Sequence, residues 1–246
     1  MGLANEGWKA IWGNKKTPED LMKEERPEFE IFCALKKADG FDVAVADEEA
    51  YYRAFYAEFE RFYEKLRELC GGFGSVYELG CGSGVNLYLL GRRCGCALGG
   101  MDYSQSLIDS AASVLEGAEL VCGDAAELQT DKKYDVVMEE SVFEYFSSWE
   151  YARKVAGLMI EKSSRLAYFG GIYDKALEEE MMAYRRSVIP DHDERYKGLD
   201  KCFYPKSWFE ELAAEYGRKI LFTEVKNPEY LNGKYQYNCY IYRDDK

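Results

Sequence analysis

A doubly wound α/β sheet is the fold class this chain predicts, and three observations predict it. Short apolar runs alternate with helical segments between Ser75 and Phe169. A glycine-rich turn, Gly80-Cys81-Gly82-Ser83-Gly84, follows the first of those runs. The length, 246 residues with 47% hydrophobic content, suits one sizeable core and is short for two.

The apolar runs predict strands at Ser75–Leu79, Ala97–Met101, Glu119–Cys122, Tyr134–Met138 and Arg165–Phe169. Helical periodicity predicts helices near Gly84–Arg92, Gln105–Leu115, Trp149–Glu161 and Asp174–Arg186. Strand and helix in alternation argue parallel strands, because a parallel pair needs a crossover. Past Pro190 the chain is polar and irregular through Asp191-His192-Asp193-Glu194-Arg195. A helix at Ser207–Tyr216 follows, then strands at Lys219–Val225 and Tyr235–Tyr242. An Asn-Pro and Asn-Gly-containing turn joins these two and suits antiparallel pairing.

Ahead of the sheet, residues 1–70 read as a helical cap. Trp8, Ile11 and Trp12 share a face at helical spacing, and Thr17-Pro18-Glu19-Asp20 carries the pattern of an N-cap with proline in the first turn. After a turn at Asp39-Gly40 the stretch Tyr51 to Leu69 is strongly periodic. Tyr52, Phe55, Tyr56, Phe59, Phe62, Tyr63 and Leu66 recur every three or four residues, and Gly71-Gly72 stops the helix. The expected organisation is thus a cap, 1–70, and a sheet domain, 71–246, with a lid insertion at about 184–204. The chain has no internal repeat.

The formal net charge is −13 and the isoelectric point about 4.8. Nucleic-acid affinity rests on Lys and Arg displacing counterions, so this balance argues against a nucleic-acid partner. The eight cysteines are scattered, and Cys94-Gly-Cys96 is too tight for a zinc knuckle, so no metal is expected. Reduced thiols acting as small hydrophobes fit a cytoplasmic protein. The N-terminus lacks a basic start followed by an apolar stretch, and no run of about 18 apolar residues occurs, so no membrane association is expected.

The chemistry-bearing residues lie at the ends of the predicted strands. Three glycines at alternate positions let the backbone turn sharply and approach a ligand. Glu78 just before them suits a positively charged amino group and would repel a pyrophosphate. A dinucleotide fingerprint needs its third glycine at the position of Val85; here it arrives one residue early, which argues against a nicotinamide cofactor. Asp102, in Met101-Asp102-Tyr103-Ser104, can accept two ribose hydroxyls, or it can be a helix N-cap. Asp124, in Cys122-Gly123-Asp124-Ala125, can accept from an exocyclic adenine amine. The run Tyr134 to Ser141 reads as a buried strand entering a site loop.

In this order the four elements resemble the class I S-adenosylmethionine-dependent methyltransferase family, from about Ser75 to Phe169. The resemblance implies a Rossmann-like sheet of seven strands with the last inserted antiparallel, and S-adenosyl-L-methionine as cofactor. It implies cofactor contacts from Glu78, Gly80, Cys81, Gly82, Gly84 and Asn86. Asp102 would hold the ribose, Tyr103 would pack on adenine with Ser104 beside it, and Asp124 and Ala125 would meet the adenine edge. Glu140 would line the methyl donor, with Ser141, Phe143 and Tyr145 toward the acceptor. The loop after Glu139 lacks the Asn/Asp-Pro-Pro-aromatic run of enzymes acting on amide or base nitrogens, which favours a small-molecule acceptor.

Outside the motifs the residues leave alternatives open. Tyr51 and Tyr52 either wall the acceptor or dock their helix on the core. Tyr196 or Tyr204 contacts the acceptor if the lid folds over the donor. His192, the single histidine, is either a base that removes a proton from the acceptor or an exposed loop residue. Transfer to an oxygen or nitrogen is expected. The same acids would serve a non-catalytic binder, and Glu139-Glu140 faintly echoes a polyamine site for aminopropyl transfer.

Overall fold

The computed structural model describes Thr17, Leu21, residues 25–41 and residues 45–244. The helical face of Trp8, Ile11 and Trp12, and Pro18 to Asp20 of the expected cap, lie outside the described residues.

The first described helices are α1 (Glu28–Lys36) and α2 (Glu48–Cys70), separated by a wide turn, Lys37–Phe41. Asp47 caps α2 by accepting a 2.9 Å hydrogen bond from the Ala50 amide, and Gly71, at φ +69°, ends it. Then β1 (Ser75–Leu79), α3 (Val85–Cys94), β2 (Ala97–Asp102), α4 (Gln105–Val114) and β3 (Glu119–Cys122) alternate. They are followed by β4 (Tyr134–Glu140), α5 (Trp149–Lys162), β5 (Ser163–Tyr173), α6 (Glu178–Val188) and a helical turn α7 (His192–Arg195). Helix α8 (Lys206–Glu215) and strands β6 (Lys219–Glu224) and β7 (Gln236–Tyr242) complete the chain.

The seven strands lie in the order β3-β2-β1-β4-β5-β7-β6. Strands β1 to β5 pair in parallel, and β7 enters antiparallel between β5 and β6. The expected fold class is therefore the observed one. Three strands run longer than the sequence predicts, β2 by Asp102 alone and two others by more. β4 continues through Glu139 and Glu140, and β5 through Gly170-Gly171 to Tyr173. Carboxylates and a glycine pair end an apolar pattern on paper; pairing with neighbouring strands keeps them extended.

One face of the sheet is covered by α2, α3 and α4. There Phe55, Phe59 and Phe62 pack with Val136, Met138, Tyr168 and Tyr240. The other face is covered by α5 and α8, where Val155, Met159, Phe209 and Leu212 meet Val137, Ala167 and Phe169. Each helix buries the apolar stripe its periodicity prescribes. Among the described residues no helix is long and apolar enough to cross a membrane.

Candidate active site

A cavity of about 820 Å³ opens over the C-terminal edge of the parallel strands. It spans the point where the strand order reverses, between β1 and β4, the place where a doubly wound sheet binds ligands. One half lies over β1, β2 and β3, and the other lies between α2 and the strands β4, β5 and β7.

The first half is built by the glycine turn. Gly80, Gly82 and Gly84 all hold positive φ (68°, 54° and 84°), which a side chain would resist. The Gly80 and Cys81 amides donate to the Met101 carbonyl at 2.7 and 3.0 Å, clamping the turn to β2. Asp102 is locked by two amides: Gly82 N–H donates to Oδ2 at 3.0 Å, and Ser104 N–H to Oδ1 at 2.9 Å. Asp124 Oδ1 accepts from the Ala126 amide (2.9 Å) and the Tyr151 hydroxyl (2.5 Å). Asp102, Tyr103, Asp124 and Ala125 all border the cavity.

Glu78 is 2% exposed. Its Oε1 accepts from Asn86 Nδ2 at 2.7 Å, while Oε2 is buried and has no hydrogen-bond partner. Burial pushes this carboxyl well above the usual range, with Asn86 opposing. A carboxylate left this way is under-satisfied until a donor arrives from the cavity.

Two more residues reach the cavity from ahead of the sheet, Lys36 at the end of α1 and Asp39 in the Lys37–Phe41 turn. Asp39 accepts from the Ser83 amide (2.7 Å) and the Ser83 hydroxyl (3.0 Å), seating the Lys37–Phe41 turn on the glycine loop. A Cβ on Gly82 would fall 2.6 Å from Asp39 Oδ1, so this glycine makes room for the cap. Burial pushes Asp39 up to about 6, opposed by the Ser83 amide. Lys36 is buried, with its ammonium 4.4 Å from the Phe41 ring centroid and 5.1 Å from that of Phe55, and it borders the cavity. Its cation–π contacts partly replace water.

In the second half Glu140 projects from the end of β4, and the Tyr168 hydroxyl donates to its Oε2 at 3.0 Å. Burial, then the Glu58 carboxylate, push Glu140 up to about 7. The next residue, Ser141, is non-glycine with φ +58°, a strained geometry held by its amide's 3.0 Å bond to the Gly170 carbonyl. Glu144, 4% exposed, pairs with Lys201 at 2.6 Å.

Of the residues singled out from sequence, Glu78, Gly80, Cys81, Gly82, Asn86, Glu140, Ser141, Tyr51, Tyr145 and Tyr196 also border the cavity. Six others do not. Gly84 is glycine for packing: a Cβ there would sit 2.8 Å from Leu115 Cδ1 and 3.2 Å from Ala111 Cβ. Ser104 is buried as the N-cap of α4, and Tyr52 turns away to donate to the Phe41 carbonyl at 2.9 Å. Phe143 is fully buried among Phe146, Phe169, Tyr204 and Phe209. Tyr204 is fully buried too, donating to the Phe143 carbonyl at 2.9 Å, so both are core residues and not acceptor walls.

His192 is neither exposed nor on the cavity. It is 6% exposed, Nε2 accepts from Arg185 Nε at 3.1 Å, and Nδ1 lies 2.9 Å from Asp193 Oδ1. The ring lies tilted by 33° against Tyr196, with centroids 5.0 Å apart. The polar segment folds back on α6 and encloses its own imidazole, while Arg185, Tyr196 and Lys201 reach the cavity. Lys36, Asp39, Glu58, Gln236 and Asn238 escaped the sequence reading because they are far from the motifs; Asp39 meets a partner 44 positions away.

Residues 76–159 match the family model described as a methyltransferase domain. A peramine synthetase of Metarhizium rileyi is 32% identical over 130 residues, 48% of this chain and 4% of that protein. A malonyl-[acyl-carrier protein] O-methyltransferase of Priestia megaterium is 30% identical over 77 residues, 30% of this chain and 28% of that one. The chain thus spans only a small part of these relatives' lengths. Among solved structures, magnesium protoporphyrin IX methyltransferase of Synechocystis, with S-adenosylhomocysteine bound, superposes with TM-score 0.60 at 16% identity, covering 88% of this chain and all of that one. An amino pentose methyltransferase of Micromonospora echinaspora, with S-adenosylmethionine bound, gives 0.57 at 12%, covering 82% and 98%. At such identities the likeness is one of fold. The methyltransferase-domain match thus runs from β1 into α5, and the fold is that of the superposed methyltransferases.

Proposed function

We propose that this protein transfers a methyl group from S-adenosyl-L-methionine to an oxygen or nitrogen of a small-molecule acceptor. The observation that carries the reading is Glu78 Oε2, a buried carboxylate oxygen without a partner on the cavity wall beside a locked Asp102. An α-amino group satisfies that oxygen, and a diol satisfies the remaining lone pairs of Asp102. Lys36 is the buried cation within the same wall and suits the donor's carboxylate. Tyr103 offers a ring to the adenine face, and Asp124 an acceptor to its amine.

When bound, the cofactor supplies an electrophilic methyl on a sulfonium. The chain's own contribution is alignment and exclusion of water: α2 and the 184–204 segment act as cap and lid, and Tyr51, Tyr145 and Tyr196 wall the acceptor. A small acceptor is favoured by this enclosed aromatic half and by the net charge of −13. Fold does not decide it, since a small RNA methyltransferase is among the similar structures. The eight free cysteines favour a reducing, cytoplasmic setting.

The test is calorimetric and catalytic. S-adenosylhomocysteine is expected to bind and NAD not to, and methyl-labelled S-adenosylmethionine is expected to label small acceptors but not tRNA, rRNA or DNA. Stabilisation by NAD alone would overturn the cofactor; label in nucleic acid would overturn the acceptor class.

A further inference from the structure

The half of the cavity between α2 and strands β4, β5 and β7 combines two features seldom buried together. It is lined by rings: Phe62 lies 4.4 Å from Tyr168, Tyr168 lies 4.9 Å from Tyr240, and Phe55 lies 5.4 Å from Tyr230. Into this aromatic wall project the carboxylates of Glu58 and Glu140. Glu58 Oε2 accepts from Asn227 Nδ2 at 3.2 Å and Glu140 Oε2 from Tyr168, while each Oε1 has no hydrogen-bond partner among the described residues.

The niche for Glu140 is built into the neighbouring strand. Glu140 pairs with Gly170, and a Cβ at Gly170 would collide with its Oε2. Gly171, at φ +65°, leaves Oε1 clear; a Cβ there would stand 3.2 Å from it. A glycine pair in the middle of a strand weakens it, and here it houses a carboxylate.

A further observation points to a ligand at this place. Gln236, 7% exposed and bordering the cavity from β7, has Nε2 buried without a partner. Nearby, Asn238 Oδ1 is taken by the Gly171 amide at 3.0 Å. Charge defines the ligand's sign. The cation felt by both Glu58 and Glu140 is Lys36, which the cofactor reading gives to the donor's carboxylate. Arg61 also acts on Glu58, but its guanidinium is engaged with the Lys226 carbonyl. Two carboxylates without a cation of their own, facing rings, fit a positively charged group: carboxylates pair with an ammonium, and ring faces attract it.

Resting on the methyltransferase reading, we propose that the acceptor is a small amine, bound as its ammonium between Glu58, Glu140 and the aromatic wall, and that Glu140 takes its proton. One N–H proton passes to Glu140 Oε1, leaving a neutral amine and a protonated carboxyl. The nitrogen lone pair then attacks the sulfonium methyl carbon. The N–C bond forms, the C–S bond breaks, and its electron pair stays on sulfur as the neutral thioether. The nitrogen leaves as a methylated ammonium. A carboxyl that burial and Glu58 hold near 7 is suited to this exchange. Gln236 Nε2 is then the donor for an oxygen elsewhere on the acceptor.

The experiment uses matched pairs with the full chain: benzylamine against benzyl alcohol, cyclohexylamine against cyclohexanol, and an aminosugar against its parent sugar. Transfer of labelled methyl is expected to at least one amine and to none of the alcohols. Glu140→Gln is expected to lower kcat for that amine at least 100-fold at pH 7. The loss should shrink as pH rises and the free amine dominates, and S-adenosylhomocysteine affinity should stay within threefold. Glu58→Gln is expected to raise KM for the amine about tenfold with little change in kcat. Transfer to alcohols but not amines, no transfer to any amine while S-adenosylhomocysteine binds, or a Glu140→Gln loss that ignores pH overturns the proposal. Failure of wild-type protein to bind S-adenosylhomocysteine would instead strike the methyltransferase reading itself.

Discussion

The two halves of the cavity are built on opposite plans. Over β1 to β3 the polar groups are fixed by backbone: Asp102 is held by the Gly82 and Ser104 amides, Asp124 by the Ala126 amide, and the turn itself by the Met101 carbonyl. Between α2 and β4, β5 and β7 they are fixed by side chains: Glu140 by Tyr168, Glu58 by Asn227, Glu144 by Lys201. Amides are present whatever the side chain, so the first plan suits a constant ligand. Side-chain partners change with each substitution, so the second suits a ligand peculiar to this protein.

The core beneath the second half gives the largest expected effect. Phe143→Ala should cost about 3–5 kcal/mol of stability, because the ring is fully buried between β5 and α8. A denaturant midpoint close to wild type would return Phe143 to the cavity wall. In the first half, Asp102→Ala removes an ionised acceptor, each of whose hydroxyl bonds is worth about 1.5–3 kcal/mol. The expected loss of S-adenosylhomocysteine affinity, read by calorimetry, is about a hundredfold with the fold intact; unchanged affinity would remove Asp102 from the site.

Raising the pH sharpens the contrast between the two halves. Glu140 has its folded value raised to about 7, above the usual carboxylate value of about 4.3. The folded state therefore retains the proton longer, and stability falls as pH rises from about 4 through about 7. Glu140→Gln removes that fall. The variant should match wild type near pH 4 and exceed it at pH 8 by on the order of 2 kcal/mol, read as a higher Tm. An advantage equal at both pH values would argue for packing instead of charge.

Smaller effects separate core from site. Tyr204→Phe leaves the buried Phe143 carbonyl without its hydroxyl donor, at about 1 kcal/mol, with cofactor affinity unchanged in calorimetry. His192→Ala should change turnover by less than about threefold, since the imidazole is enclosed by Arg185, Asp193 and Tyr196. A drop of about 100-fold, the range of a positioned base, would bring His192 back into the chemistry.

What the sequence by itself determined is the part of this protein held by local geometry. β1 and β3 were legible to the residue, and so was the placing of the acids Glu78, Asp102 and Asp124 by the strand ends, where all three border the cavity. Each stands at a strand end beside a turn whose glycines and caps are its sequence neighbours, so short-range pattern and position in the fold agree. Only the tertiary structure decided the rest. Asp39, Lys36 and Glu58 are ordinary residues of helix and turn until the cap docks on the glycine loop and on β4 and β5. Phe143, Tyr204 and His192 look like site residues until long-range packing buries them. A carboxylate or ring says what it can do; which face it meets depends on chain arriving from dozens of residues away, and no local pattern encodes that arrival.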